Sequence, residues 1–291
     1  MTKKLLFLIF LQIIIFSLVL AEPKLPKQIT LIYYNPQRNH QTIVMNTDKY
    51  LAGVVIGELG NSFSLEAMKA QAVVSRTWLI KNLKRHKSSP ADFCSLAHCQ
   101  VWRNPTAKSL QAVKDTQGEI IYPLPKEVFF TSSTTKKTDL APNGKYYSAI
   151  APDYYWKLTA PIDTIIKTFA INCSSIKNIY TDQKNIYLIC SDKSYQMTKE
   201  EFFEKAIFSF GNQIIRSPFF NITRIENMVH FKGQGLGHGR GLPQWGAQAR
   251  SEKGQDYQQI IKAYFPGHYV KKIDESKFPQ ELIEIISSLS L

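Results

Sequence analysis

The sequence predicts an α+β fold, on three observations. Short runs alternating apolar and polar residues recur along the chain and read as strands. Between them lie longer runs with helical spacing and their own capping residues. Glycine, proline and asparagine clusters separate the two kinds of run, with no internal repeat.

In chain order, 28–34 and 42–45 read as strands, with Asn35-Pro36 and Asn39 as turn residues between them. Asp48 reads as the N-cap of a helix over 49–59, stopped by Gly60-Asn61. Ser64 caps a longer helix over about 65–84, with Glu66 in its first turn. A short helix over 106–114 is closed by Gly118, and 119–122 and 127–131 follow as strands. The segment 132–144 is a polar loop, and 168–172 and 185–190 alternate as strands do. Thr198 and Glu201 form a capping box for a helix reaching Ser209. Strands over 219–225 and 228–232 lead into a glycine-dense loop, 233–241. Helices over 243–253 and 257–265 close the pattern, the second capped by Asp256 and ended by Pro266-Gly267.

The first 21 residues stand apart from this fold. Lys3 and Lys4 precede a run from Leu5 to Leu20 that is apolar except for Gln12 and Ser17, and Val19-Leu20-Ala21 offers a small-residue cleavage pattern. Residues 1–21 therefore read as a secretory signal peptide. Left uncleaved, the same run would anchor the chain, its only expected contact with a membrane. Either way the remainder is exported, to the periplasm or cell envelope. It is long enough for a substantial core. The formal net charge of +13 suits an acidic partner, and outside the cytoplasm that points to anionic wall polymers or lipid head groups rather than nucleic acid. The four cysteines, Cys94, Cys99, Cys173 and Cys190, suit disulfides in an exported chain, local pairing being the simplest arrangement.

Three constellations could carry chemistry. On a helix over 49–59, Leu51, Val54, Val55 and Glu58 share a face. A carboxyl there is desolvated and lies near a helix C-terminus, and both effects raise its pKa. That suits a general acid, while pairing with a buried Arg76 or escape to solvent would make the same residue structural. The run Gly233-Gln-Gly-Leu-Gly-His-Gly-Arg-Gly241 allows close backbone approach to a ligand and presents His238. It fits neither a dinucleotide fingerprint nor a phosphate loop. Cys94-Ser-Leu-Ala-His98-Cys99 could be a disulfide loop or supply three zinc ligands, with His86, His98 and His238 as the histidines to weigh. No nucleophile elbow surrounds Ser132-Ser133. Asp48, Glu66 and Asp153 are candidates for a second carboxyl in a two-carboxylate glycosidase.

Taken together, these segments resemble the stage II sporulation protein D family. Tyr50-Leu-Ala-Gly-Val-Val-Ile-Gly-Glu58, the helix Leu65 to Thr77, Cys94 to Trp102, Gly235-Leu-Gly-His-Gly-Arg-Gly-Leu-Pro-Gln-Trp-Gly-Ala247, and Tyr257 to Gly267 occur in the family's order. The resemblance implies a single catalytic domain over 22–291, with a strand-rich part at 159–232. It implies a peptidoglycan lytic transglycosylase in which Glu58 serves as acid and then base. Arg76, Gln100, Gly237, His238 and Gln244 would bind substrate. Zinc would sit on Cys94 and Cys99, with His98 as third ligand. Glycan strands stripped of stem peptides would be the substrate and an amidase the functional partner. A non-catalytic wall protein that stimulates an amidase, and a muramidase-type hydrolase, remain the alternatives. This chain departs from the family pattern at Leu59-Gly60, where a proline is usual, in the loop Ser133 to Thr138, and at Leu236 and Arg240.

Overall fold

The computed structural model describes residues 25–273 apart from 84, 87, 88, 90, 174 and 211–214. The expected signal segment 1–21 lies outside the described residues. Among them, no helix is long and apolar enough to cross a membrane.

The fold is α+β, as expected. β1 (Gln28–Tyr34) and β2 (His40–Asn46) form an antiparallel hairpin. Its turn is closed by Asn35, whose side chain accepts from the Asn39 N–H at 2.9 Å. α1 (Thr47–Leu59) starts two residues before Asp48 would allow, because Asn46 is the N-cap and accepts from the Lys49 N–H at 2.7 Å. This helix is buried all round from Tyr50 to Ile56, so it is a central helix rather than a surface one with a single apolar stripe. α2 (Leu65–Lys81) is capped by Ser64, as the sequence indicates. β3 (Phe93–Cys94) runs parallel to β1 and places Cys94 beside Ile32. α3 (Ala107–Asp115), β4 (Glu119–Tyr122) and β5 (Phe130–Thr131) follow.

The chain then builds a second apolar cluster from Trp156 to Phe231. β6 (Tyr155–Pro161), unrecognised in the sequence, leads directly into α4 (Ile162–Phe169). The strand expected at 168–172 is instead the end of that helix. Ile162, Ile165 and Phe169 are buried at helical spacing, and Ala170 stops the helix in the left-handed conformation at φ 52°. β7 (Ile176–Thr181), β8 (Asn185–Cys190) and β9 (Ser194–Thr198) form an antiparallel meander. Cys173 and Cys190 are disulfide-bonded with Cα atoms 5.9 Å apart. α5 (Lys199–Phe210) begins where Thr198 accepts from the Glu201 N–H at 3.1 Å. β10 (Phe220–Ile225) and β11 (Met228–Gln234) complete a sheet in the order β10-β11-β6.

The glycine loop carries the chain back to the first core. β12 (Leu242–Pro243) pairs in parallel with β5. α6 (Gln244–Glu252), α7 (Tyr257–Tyr264) and β13 (Tyr269–Lys272), which pairs with β4, close it. Asp256 caps α7 with a reciprocal box to Gln259. The first core therefore joins residues from both halves of the sequence, Val54 and Met68 packing in one cluster with Ala247 and Ile260.

Arg76 has no exposed surface and belongs to that core. Its guanidinium donates to the Glu119 carbonyl at 2.9 Å and the Val113 carbonyl at 3.4 Å. Burial lowers its pKa to about 10, which leaves it charged at neutral pH. It ties α2 to the α3–β4 connection and, contrary to expectation, does not line the cleft described below. Arg76→Met is expected to cost about 3 kcal/mol, because two buried carbonyls lose their donor. In a chain of this size that lowers Tm by roughly 10 °C. Substrate affinity of the folded fraction should be unchanged; a raised KM at unchanged Tm would place Arg76 at substrate after all.

Candidate active site

The site is built on a groove in α1. Gly53 and Gly57 lie four residues apart and so share a stripe of the helix. A Cβ at Gly53 would overlap the Trp102 indole, and one at Gly57 would overlap the Val101 carbonyl. The bare stripe lets the 101–103 backbone lie against the helix, with the Arg103 N–H donating to the Gly53 carbonyl at 3.0 Å. The other side of this segment is held by the Trp102 N–H on the Ser95 carbonyl at 3.2 Å and by Tyr33 edge-on to Trp102. The result is an aimed donor: the Val101 N–H reaches Glu58 Oε1 at 2.7 Å.

Glu58 lines a cleft of about 590 Å³ together with Trp78, Arg85, Cys99, Phe129 and His238. Burial raises its pKa above the ordinary carboxyl value. The Val101 N–H and the Gln244 side chain oppose that shift by hydrogen bonding to the carboxyl. Gln244 opens α6, 186 positions further along the chain. The group is thus a carboxyl inclined to hold its proton, with two donors ready for the anion once the proton leaves.

His238 reaches the cleft from the glycine loop. Gly235, Gly237, Gly239 and Gly241 all have left-handed φ, between 69° and 96°. This zigzag packs against the 129–133 segment: Thr131 Oγ1 donates to the Leu236 carbonyl at 3.1 Å and accepts from the Gly239 N–H at 3.2 Å. At Gly241 a Cβ would collide with the Phe129 carbonyl, so the register requires glycine there. Burial, reinforced by Arg240 and Lys136, lowers the His238 pKa to about 4. Its Nδ1 lies 3.0 Å from the Arg240 N–H and accepts from it. The neutral ring therefore carries its proton on Nε2.

Beside the cleft, four donor atoms converge. The ligand atoms of His86, Cys94, His98 and Cys99 all lie within 4.8 Å of one another. His86 Nε2 is 3.2 Å from Cys99 Sγ, and His98 Nδ1 is 3.6 Å from Cys99 Sγ and 3.9 Å from Cys94 Sγ. Cys94 and Cys99 are free thiols, not a disulfide. Two thiols and two imidazoles are the donor set of a four-coordinate zinc site, and these residues fit it. Burial pushes the Cys99 thiol up to about 11, so ionising it at neutral pH takes a cation.

Glu58 and His238 line one cleft, Gln244 hydrogen-bonds Glu58, and His86 joins Cys94, His98 and Cys99 as a fourth donor. Gln100 does not line the cleft; it is buried, with neither amide atom hydrogen-bonded. Gly237 supports the loop, its N–H donating to the Arg216 carbonyl at 2.7 Å. Of the carboxyls weighed as partners for Glu58, Asp48 lies at the opposite end of α1, Glu66 bonds Lys69 and the Tyr257 N–H, and Asp153 pairs with Arg216. Glu127, which no motif marks, does line the cleft, largely exposed and 3.8 Å from Arg240.

The family described as SpoIID, Stage II sporulation protein, matches residues 37–122, the span holding Glu58 and all four converging donors. Stage II sporulation protein D of Bacillus amyloliquefaciens is 24% identical over 286 residues, covering 87% of this chain and 82% of that one. An uncharacterized protein of Brachyspira hyodysenteriae is 28% identical over 244 residues, covering 77% of this chain and 66% of that one. The amidase enhancer of Bacillus subtilis is 22% identical over 282 residues, and the match spans only 39% of its length. By its motifs and by these matches, the chain is similar to the stage II sporulation protein D family.

Proposed function

We propose that the protein acts in the cell wall as a lytic transglycosylase that cleaves the MurNAc–GlcNAc bond of stripped glycan strands. The observation that carries this reading is Glu58, a carboxyl with a raised pKa at the wall of an open cleft, provided with two donors. Protonated, it gives its proton to the glycosidic oxygen, and GlcNAc leaves as its 4-hydroxyl. The Val101 N–H and Gln244 amide then stabilise the carboxylate. As the MurNAc 6-hydroxyl bonds to C1, the carboxylate takes back that proton and a 1,6-anhydro end forms without water. His238, neutral with Nε2–H, serves as a hydrogen-bond donor rather than an acid. The family match and the relative named amidase enhancer support a cell-wall role coupled to an amidase.

Mass spectrometry of the products tests the reaction. Anhydro ends, lighter by one water than hydrolysed ends, are expected. Glu127→Gln is expected to change the rate no more than about threefold, since an exposed rim ion pair contributes little. Reducing ends, with activity lost in Glu127→Gln, would instead make the pair a two-carboxylate hydrolase.

Zinc belongs to the same proposal, held by His86, Cys94, His98 and Cys99. With four protein donors it would be structural, fastening the 94–99 loop that leads into Val101. Elemental analysis should find about one zinc per chain. Cys99→Ser should lose the metal and lower Tm. Wild-type protein free of metal would refute the assignment.

A further inference from the structure

A second cavity, of about 550 Å³, opens away from the Glu58 cleft. It lies between the 141–150 segment, the exposed start of β6 and the C-terminal end of α6. Lys253 follows Gln244 by nine helical steps, about 14 Å along the axis and about half a turn around it. No residue lines both cavities.

Three properties mark this cavity as built to hold a ligand. Its floor is fixed. The Arg250 guanidinium lies 4.0 Å from the centre of the Tyr147 ring and is held by the Tyr264 hydroxyl at 2.9 Å and the Thr138 carbonyl at 3.0 Å. Tyr264 is in turn bonded to buried Asp139 at 2.6 Å. Its wall is an unburied aromatic: Tyr155 is 71% exposed and stands edge-on against Tyr154. Its charge is one-sided. Lys145 and Lys253 line it with no carboxylate partner among the described residues, and no Asp or Glu lines it.

We infer that this cavity is a second saccharide site that holds an anionic amino-sugar polymer, a stripped glycan strand, apart from the site of cleavage. Tyrosine faces suit the C–H faces of pyranose rings. The Asn143 and Gln234 amides suit N-acetyl and hydroxyl groups. Lys145, and Lys253 lying over the Tyr147 ring at 4.6 Å, suit the lactyl carboxylates that MurNAc exposes once its stem peptide is gone. The inference rests on the proposed glycan substrate and adds a place where a strand is held while another segment is cut.

Binding of stripped strands to the full exported chain tests it, in the Glu58→Gln background so that nothing is cut. Tyr155→Ala with Lys145→Ala should weaken binding about tenfold, the loss of one stacked ring and one charge contact. Cleavage of short soluble muramyl oligosaccharides by the same double variant with Glu58 intact should be unchanged. Unchanged strand binding would overturn the inference. So would equal weakening with uncharged chitooligosaccharides, which lack the carboxylate, or retention of a polyphosphate-backbone wall polymer in preference to glycan. If Glu58→Gln still cleaves strands, the catalytic reading falls while the binding result stands by itself.

Discussion

Glu58→Gln is expected to lower the rate of strand cleavage by about a thousandfold, the usual scale for removing a positioned general acid, while the chain stays folded. Glutamine keeps the shape and can still accept from the Val101 N–H, so the hydrogen bond that positions the side chain persists. What disappears is the transferable proton. The pH dependence has a definite sign. Burial raises the Glu58 pKa, so wild-type activity should decline as pH rises through that raised value, because the acid is then already ionised. Stability follows the same group. The folded chain binds this proton more tightly than the unfolded chain does. Wild-type stability therefore declines as pH rises from the ordinary carboxyl range through the raised value, and Glu58→Gln lacks that decline. Melting curves across pH should show the variant gaining on the wild type, then a constant gap. Undiminished cleavage by the variant would remove Glu58 from the mechanism.

Part of this site is legible in the sequence because its causes are local. Ser64 and Asp256 announce α2 and α7 since a capping side chain bonds an N–H three residues on. The alternating glycines of 235–241 announce an irregular backbone because φ values near 80° are open to few other residues. Cys94, His98 and Cys99 are close in sequence and so close in space. The rest depends on tertiary packing. Gln244 meets Glu58 only because β12 pairs with β5 and returns α6 to the first core. His86 joins the cysteines because β3 pairs with β1 and folds the 94–99 loop back toward the end of α2. Arg76 has the residue type of a substrate ligand but the environment of a core strut, a distinction only burial reveals. The error at 168–172 has the same origin. A short apolar run does not tell strand from helix, and the preceding Ile162 and Ile165 decide it.

Gly57→Ala shows how far the site depends on backbone contact. Alanine is the better helix former by about 1 kcal/mol, so helix propensity alone predicts a more stable protein. The groove predicts the reverse. The new Cβ would overlap the Val101 carbonyl oxygen, and a backbone group cannot rotate aside. Either α1 shifts or the 99–103 segment lifts off it. Overpacking of this kind costs about 1–3 kcal/mol, which offsets the propensity gain. The larger consequence falls on catalysis, because the lifted segment carries the Val101 N–H and begins at Cys99. A displacement of about 1 Å at the reacting geometry costs on the order of a hundredfold in rate. Gly60→Ala is the matched control. Gly60 ends the same helix at φ 76° and ψ 174°, a conformation almost confined to glycine, and nothing lies within 4 Å of a Cβ built there, so alanine at that site strains the backbone by about 1–3 kcal/mol without touching Val101. The expected result is a comparable or greater loss of Tm in Gly60→Ala with cleavage retained, and a collapse of cleavage in Gly57→Ala. Equal activity in the two variants would mean that the 101–103 segment does not position Glu58.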